Sequence, residues 1–129
     1  LASLGMFSVD RSEGRTAFER MKREVPDFFA HGWALVLFPE GTRTAPGASV
    51  KYKTGGVRLA IATNAPIVPI ALNSGECWPK YSFLLYPGTI KVVFGDPISP
   101  EGKTPHELNE EVRSEIEGEM KRISPQYYK

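Results

Sequence analysis

The sequence turns on one junction, where the uncharged apolar run Trp33-Ala34-Leu35-Val36-Leu37 passes directly into Phe38-Pro39-Glu40-Gly41-Thr42-Arg43. The run is short and rich in strand-favouring residues, which predicts a buried strand rather than a helix. Pro39 has no N–H to continue a ladder, so the strand stops there. Gly41 reaches backbone angles closed to other residues and lets a ligand approach the main chain. Arg43 adds a planar fork of donors matched to phosphate or carboxylate. Open α/β sheets place their sites in such loops, just past the end of a buried strand. The plainer alternative is a surface turn with a stray salt bridge.

A chain of 129 residues supports one domain with one core, and 41% hydrophobic with 24% charged residues are the proportions of an ordinary globular chain. The net charge of +1 is uninformative, but its distribution is not. No Asp or Glu lies between Glu40 and Glu76, while Arg43, Lys51, Lys53 and Arg58 all do. From Glu101 to Glu119 seven glutamates face only Lys103 and Arg113. The segment after the junction therefore carries a positive field, and the tail a solvated acidic face. The basic residues are few and lack an interleaved stacking platform, which argues against nucleic acid as a partner. Cys77 is the single cysteine, so neither an internal disulfide nor a cysteine-based metal site can form. No apolar run approaches the roughly 18 residues that span a bilayer. The chain opens on Leu-Ala-Ser, and we expect a piece of a longer protein.

Along the chain, 4–9 reads as a strand broken by Asp10-Arg11-Ser12. Ser12 or Gly14 then opens a helix with Ala17, Phe18, Met21 and Val25 at helical spacing. Pro26 is expected to end or kink it, and Gly32 suits the position past its end. Residues 44–49 read as an exposed loop, and Thr54 as the cap of a helix reaching Asn64 with Val57, Ala60 and Ile61 inward. Residues 67–72 read as a strand that Pro69 confines to an edge, a bulge or a start. Residues 83–86 and 89–94 read as two strands joined at Pro87-Gly88. Thr104-Pro105-His106-Glu107 has the spacing of a capping box before a stripe of Leu108, Val112, Ile116, Met120 and Ile123. This order gives an α/β fold: a partly parallel mixed sheet flanked by helices, incomplete at the N-terminus. It is one domain over 1–129, with binding loops in 7–70 and a hairpin and helix in 82–124.

Three patterns then coincide: Phe7-Ser8-Val9-Asp10-Arg11, Phe38-Pro39-Glu40-Gly41-Thr42-Arg43 and Ile67-Val68-Pro69-Ile70. In this order they resemble the motifs of glycerolipid acyltransferases, of the bacterial 1-acyl-glycerol-3-phosphate type, and Tyr52-Lys53-Thr54-Gly55-Gly56 is similar to an aromatic-Lys-x-Gly segment of that family. The family's His-x-x-x-x-Asp motif is not matched. Five residues after His31 stands Val36, and five after His106 stands Glu111 on the acidic final helix. The resemblance puts that catalytic pair upstream of Leu4 and implies that this chain alone is inactive.

The resemblance implies transfer of a fatty acyl group from acyl-CoA or acyl-carrier protein to the hydroxyl of 1-acyl-glycerol-3-phosphate (lysophosphatidic acid), giving phosphatidic acid for phospholipid biosynthesis, with no metal or other cofactor. The alternative is a non-catalytic anion-binding module, a degenerate or truncated relative. For the acceptor phosphate the resemblance selects Arg11 and Arg43, with Lys53 as a third contributor. Glu40, Gly41 and Thr42 belong to the binding loop, and Glu40 is expected to hold Arg43 or a glycerol hydroxyl. Phe38 and Pro39 set the loop's shape, and Pro69 falls in the last motif. Read as structure alone, Arg11 pairs with Asp10 or Glu40, Lys53 is a solvated charge and Pro69 only shapes a strand. Trp78-Pro79-Lys80-Tyr81 with Phe83-Leu84-Leu85-Tyr86 mixes aromatic, apolar and basic residues as an interfacial surface does, or else forms a hairpin packed on the sheet. A lipid substrate implies a peripheral protein on the cytoplasmic face of the bacterial inner membrane.

Overall fold

The computed structural model describes residues 14–128, so the expected strand over 4–9 and Arg11 lie outside the described residues. Four helices and two short strands follow in the order α1 (Arg15–Ala30), α2 (Gly55–Thr63), β1 (Ile70–Leu72), α3 (Ser74–Cys77), β2 (Val92–Phe94) and α4 (Pro105–Ile123).

α1 runs through Pro26 instead of ending there. One missing N–H costs the helix a single hydrogen bond, and burial of Ala17 and Val25 on its inner face holds the axis together across the gap. The expected stop comes at Gly32, where Gly32 N–H donates to the Phe29 carbonyl and Trp33 N–H to that of Phe28, both at 3.0 Å. This crossed pair is a Schellman closure, and Gly32 supplies the left-handed φ of 82° that it requires.

α2 begins as expected, although Thr54 caps it only through its carbonyl, with no side-chain bond. α4 follows its sequence signals closely. Thr104 Oγ1 accepts the Glu107 N–H at 3.2 Å, Pro105 occupies the first turn, and Leu108, Val112, Met120 and Ile123 are buried. Thr104→Ala removes that acceptor and is expected to cost about 1 kcal/mol, read as a lower denaturant midpoint at unchanged slope. An unchanged midpoint would mean that the cap contributes nothing.

The α/β character stands, and the strand pairing among the described residues is antiparallel. β1 and β2 pair as Ile70 with Phe94, Ala71 with Val93 and Leu72 with Val92. A bridge between Ile67 and Ile98 extends the alignment, and Pro69 interrupts it, contributing only its carbonyl to the Gly95 N–H at 2.8 Å. The expected hairpin is therefore corrected: 89–94 turns away from 83–86 and joins β1. Asn73 stabilises this choice, because its Oδ1 accepts the Lys91 N–H at 2.7 Å and its Nδ2 donates to the Thr89 carbonyl.

α4 carries the core. One cluster sets Leu108 and Val112 with Val57, Ala60 and Ile98; a second sets Met120 and Ile123 with Ala71. Ile116 packs against both and joins them into one continuous stripe. The run 33–37 is the main departure: it forms no strand and leaves Trp33, Val36 and Leu37 exposed. A strand exists only through its ladder partners, and no described residue pairs with this run.

Candidate functional site

The loop after the apolar run folds as its residues dictate. Gly41 N–H closes a turn onto the Phe38 carbonyl at 3.0 Å, with Gly41 at a φ of 73°. Lys53 N–H donates to the Pro39 carbonyl at 2.8 Å, which clamps the loop to the segment before α2. The Lys53 side chain then crosses the face of Gly41: a β-carbon there would stand 2.7 Å from Lys53 Cε and 2.8 Å from Nζ. The backbone angle is what requires glycine here; a β-carbon would in addition displace the end of the flexible Lys53 side chain.

Beside the loop opens a cavity of about 620 Å³, within the range of small-molecule sites. Phe38, Glu40, Gly41, Thr42 and Arg43 form one wall. Ile70, Leu72 and Asn73 at the end of β1, with Ile116, Glu117 and Met120 of α4, form the wall opposite. The third side is Trp78 and Lys80. Lys80 Nζ donates to Thr42 Oγ1 at 3.3 Å, and the Arg43 guanidinium lies over the Trp78 ring at 5.9 Å. Two cations from separate loops therefore stand at one corner of the cavity.

Of the three carboxylates that line the cavity, Glu76 and Glu117 are engaged with protein donors. Glu117 accepts the Tyr52 hydroxyl at 3.2 Å, and Glu76 accepts Asn73 Nδ2 at 2.9 Å and Gln126 Nε2 at 3.2 Å. No ion pair joins Glu40 to Arg43 among the described residues, so the expected restraint of the arginine by that acid is not what holds it; the Trp78 ring is. Tyr52 is buried, and burial, followed by the charges of Glu117 and Glu40, pushes its hydroxyl well above the usual phenol range. It stays a neutral donor, and its ring fixes the floor of the site against α4, where Asn109 Nδ2 donates to the Tyr52 carbonyl at 3.4 Å.

Of the residues singled out in the sequence, Phe38, Glu40, Gly41, Thr42 and Arg43 meet at this cavity. Lys53 flanks it over Gly41, and Pro39 acts through its carbonyl. Pro69 does not join them. It is buried and borders a separate hollow with Gly95 and Glu119, so its part here is to shape the strand. Arg11 lies outside the described residues, and its convergence with Arg43 is not among the contacts described. Sequence reading missed Lys80 and Trp78 as site residues. The signal was present, since no acid lies between Glu76 and Asp96 and this second acid-free stretch adjoins the first.

A family model described as Acyltransferase matches residues 1–73, more than half of the chain. The chain belongs to the acyltransferase family. A 1-acyl-sn-glycerol-3-phosphate acyltransferase of Pseudomonas aeruginosa is 37% identical over 97% of this acyltransferase chain and 50% of its own length. One from Limnanthes alba is 33% identical over 81% of this chain and 38% of its own. The chain thus spans half or less of the curated relatives it matches. The crystal structure of the 1-acyl-sn-glycerophosphate acyltransferase from Thermotoga maritima superposes with a TM-score of 0.71 at 24% identity, over 81% of this chain and 44% of that one, and shares its fold.

Proposed function

We propose that this acyltransferase chain is the acceptor-binding part of an enzyme that acylates 1-acyl-glycerol-3-phosphate to phosphatidic acid. The observation that carries the reading is the pair Arg43 and Lys80, two cations at one corner of the cavity, neither of them paired with a carboxylate among the described residues. Charges held without a protein counterion favour an exogenous anion, and the arginine fork with the lysine beside it suits a phosphate monoester. Phe38, Leu72, Ile116 and Met120 offer apolar wall to the glycerol and the first part of its acyl chain.

In this reading the acceptor hydroxyl attacks the thioester carbonyl of acyl-CoA or acyl-carrier protein. The new C–O bond forms, the C–S bond breaks, and the hydroxyl proton passes to a general base as the thiol leaves. The resemblance assigns the base to a His-x-x-x-x-Asp pair, which neither His31 nor His106 matches. Residues of this chain do the positioning, holding the phosphate so that the hydroxyl stands in line with the thioester. No helix among the described residues is long and apolar enough to cross a membrane, and peripheral association with a lipid surface fits the substrate. The direct test supplies the intact protein with lysophosphatidic acid and each acyl donor. Phosphatidic acid is the product expected; acylation of neither this acceptor nor any other glycerol phosphate would overturn the reading.

A further inference from the structure

We propose that the loop from Trp78 to Tyr86 is a docking surface for a bilayer containing anionic phospholipid, which seats the mouth of the cavity at the lipid headgroups. The proposal rests on the acyltransferase reading above. Tyr81, Phe83, Leu84, Leu85 and Tyr86 are all exposed, Phe83 completely. Such a run on a surface marks an interaction site rather than core.

The exposure belongs to the loop itself. Its ends are tied by Tyr86 N–H donating to the Cys77 carbonyl at 2.7 Å, and its neck by Trp78 Nε1 donating to the Ser82 carbonyl at 3.0 Å. Leu84 N–H donates to Ser82 Oγ, also at 3.0 Å. Tyr81 is held at a φ of 63°, a left-handed conformation that bulky residues adopt only when their surroundings impose it. The loop's ends and neck are closed on its own hydrogen bonds, and Phe83, Leu84 and Leu85 stand exposed beyond them.

Composition chooses the occupant. Trp78, Tyr81 and Tyr86 surround Phe83-Leu84-Leu85, the arrangement in which amphipathic rings sit at headgroup level while aliphatic groups enter the acyl region. Lys80 and Lys91 are the only charges from Cys77 to Gly95, and both are positive, which complements anionic lipid. At the inner end of the loop Trp78 and Lys80 line the cavity, so docking brings its mouth to the surface where a lysophospholipid resides.

The test compares the intact protein with a triple variant (Phe83→Ser, Leu84→Ser, Leu85→Ser) and with Lys91→Gln. Co-sedimentation uses phosphatidylcholine vesicles with and without phosphatidylglycerol. The parent is expected to bind the anionic vesicles, the triple variant to bind them roughly tenfold or more weakly, and Lys91→Gln about fivefold more weakly. With the acceptor dispersed as monomers, kcat/KM is expected to be the same in all three proteins, which also shows that the variants fold. Equal vesicle binding by parent and triple variant, with acylation of the monomeric acceptor intact, overturns the docking surface and leaves the enzyme reading standing. A parent dimer that the triple variant dissociates, without loss of vesicle binding, overturns it in favour of a second copy as occupant. Absence of acylation in the parent under monomeric conditions counts against the enzyme reading alone.

Discussion

In the intact protein, Arg43→Ala is expected to lower kcat/KM for the phosphorylated acceptor by about 10- to 150-fold and to leave the KM of the acyl donor unchanged. The magnitude is that of one charge-assisted hydrogen-bonding group, about 1.5–3 kcal/mol. The asymmetry between substrates follows from position. Arg43 stands with Lys80 at the polar corner of the cavity, and its guanidinium is steadied by the Trp78 ring rather than by a carboxylate. Arg43→Lys keeps the charge but loses the planar fork, and its rate is expected to fall between the two. A donor KM that rises in step with the acceptor effect would mean that the arginine serves both substrates.

Leu108→Ala is expected to cost about 2–5 kcal/mol, on the order of 10–20 °C in the thermal midpoint. Leu108 is completely buried and shares its cluster with Val57, Ala60, Ile98 and Val112, so truncation removes contacts to α2 and to the segment after β2 at once. Phe83→Ala is the matched control. It deletes a larger side chain that is wholly exposed, and its effect on the midpoint should stay within about 0.5 kcal/mol. Circular dichroism melts of both variants decide the matter, and equal losses would place the core elsewhere.

These two side chains mark what could be read in advance. α4 was legible because its signals are local: Thr104 and Glu107 three residues apart, proline in the first turn, and a stripe at helical spacing. Gly32 was legible for the same reason, since a helix ending needs a left-handed residue at one position. Strands were harder. Leu85 and Val93 are equally strand-like in type, yet only Val93 found a partner, and that partner is Ala71, beyond α3. The run 33–37 has the composition of a strand and no ladder partner among the described residues. Strand identity is decided by pairing at a distance, and composition supplies only half of it.

The site divides in the same way. Gly41 and Arg43 announced themselves, because a glycine turn and an arginine fork after an apolar run are contiguous in sequence. Lys80 did not. It reaches Thr42 across 38 residues, and only the fold places the loop containing Trp78 against the glycine turn. Pro69 falls to the other side: Ile70 and Leu72 line the cavity, whereas Pro69 and Ala71 border the separate hollow, which favours its strand-shaping alternative.

The proposed selection of a phosphate by Arg43 and Lys80 can be measured as a ratio. The quantity is kcat/KM for lysophosphatidic acid divided by that for the monoacylglycerol of the same chain, which differs only in lacking phosphate. We expect the intact protein to favour the phosphorylated acceptor strongly, and the Arg43→Ala, Lys80→Ala double variant to bring the ratio close to one. A double variant that keeps the parent's ratio would contradict the assignment of this corner of the cavity to the phosphate.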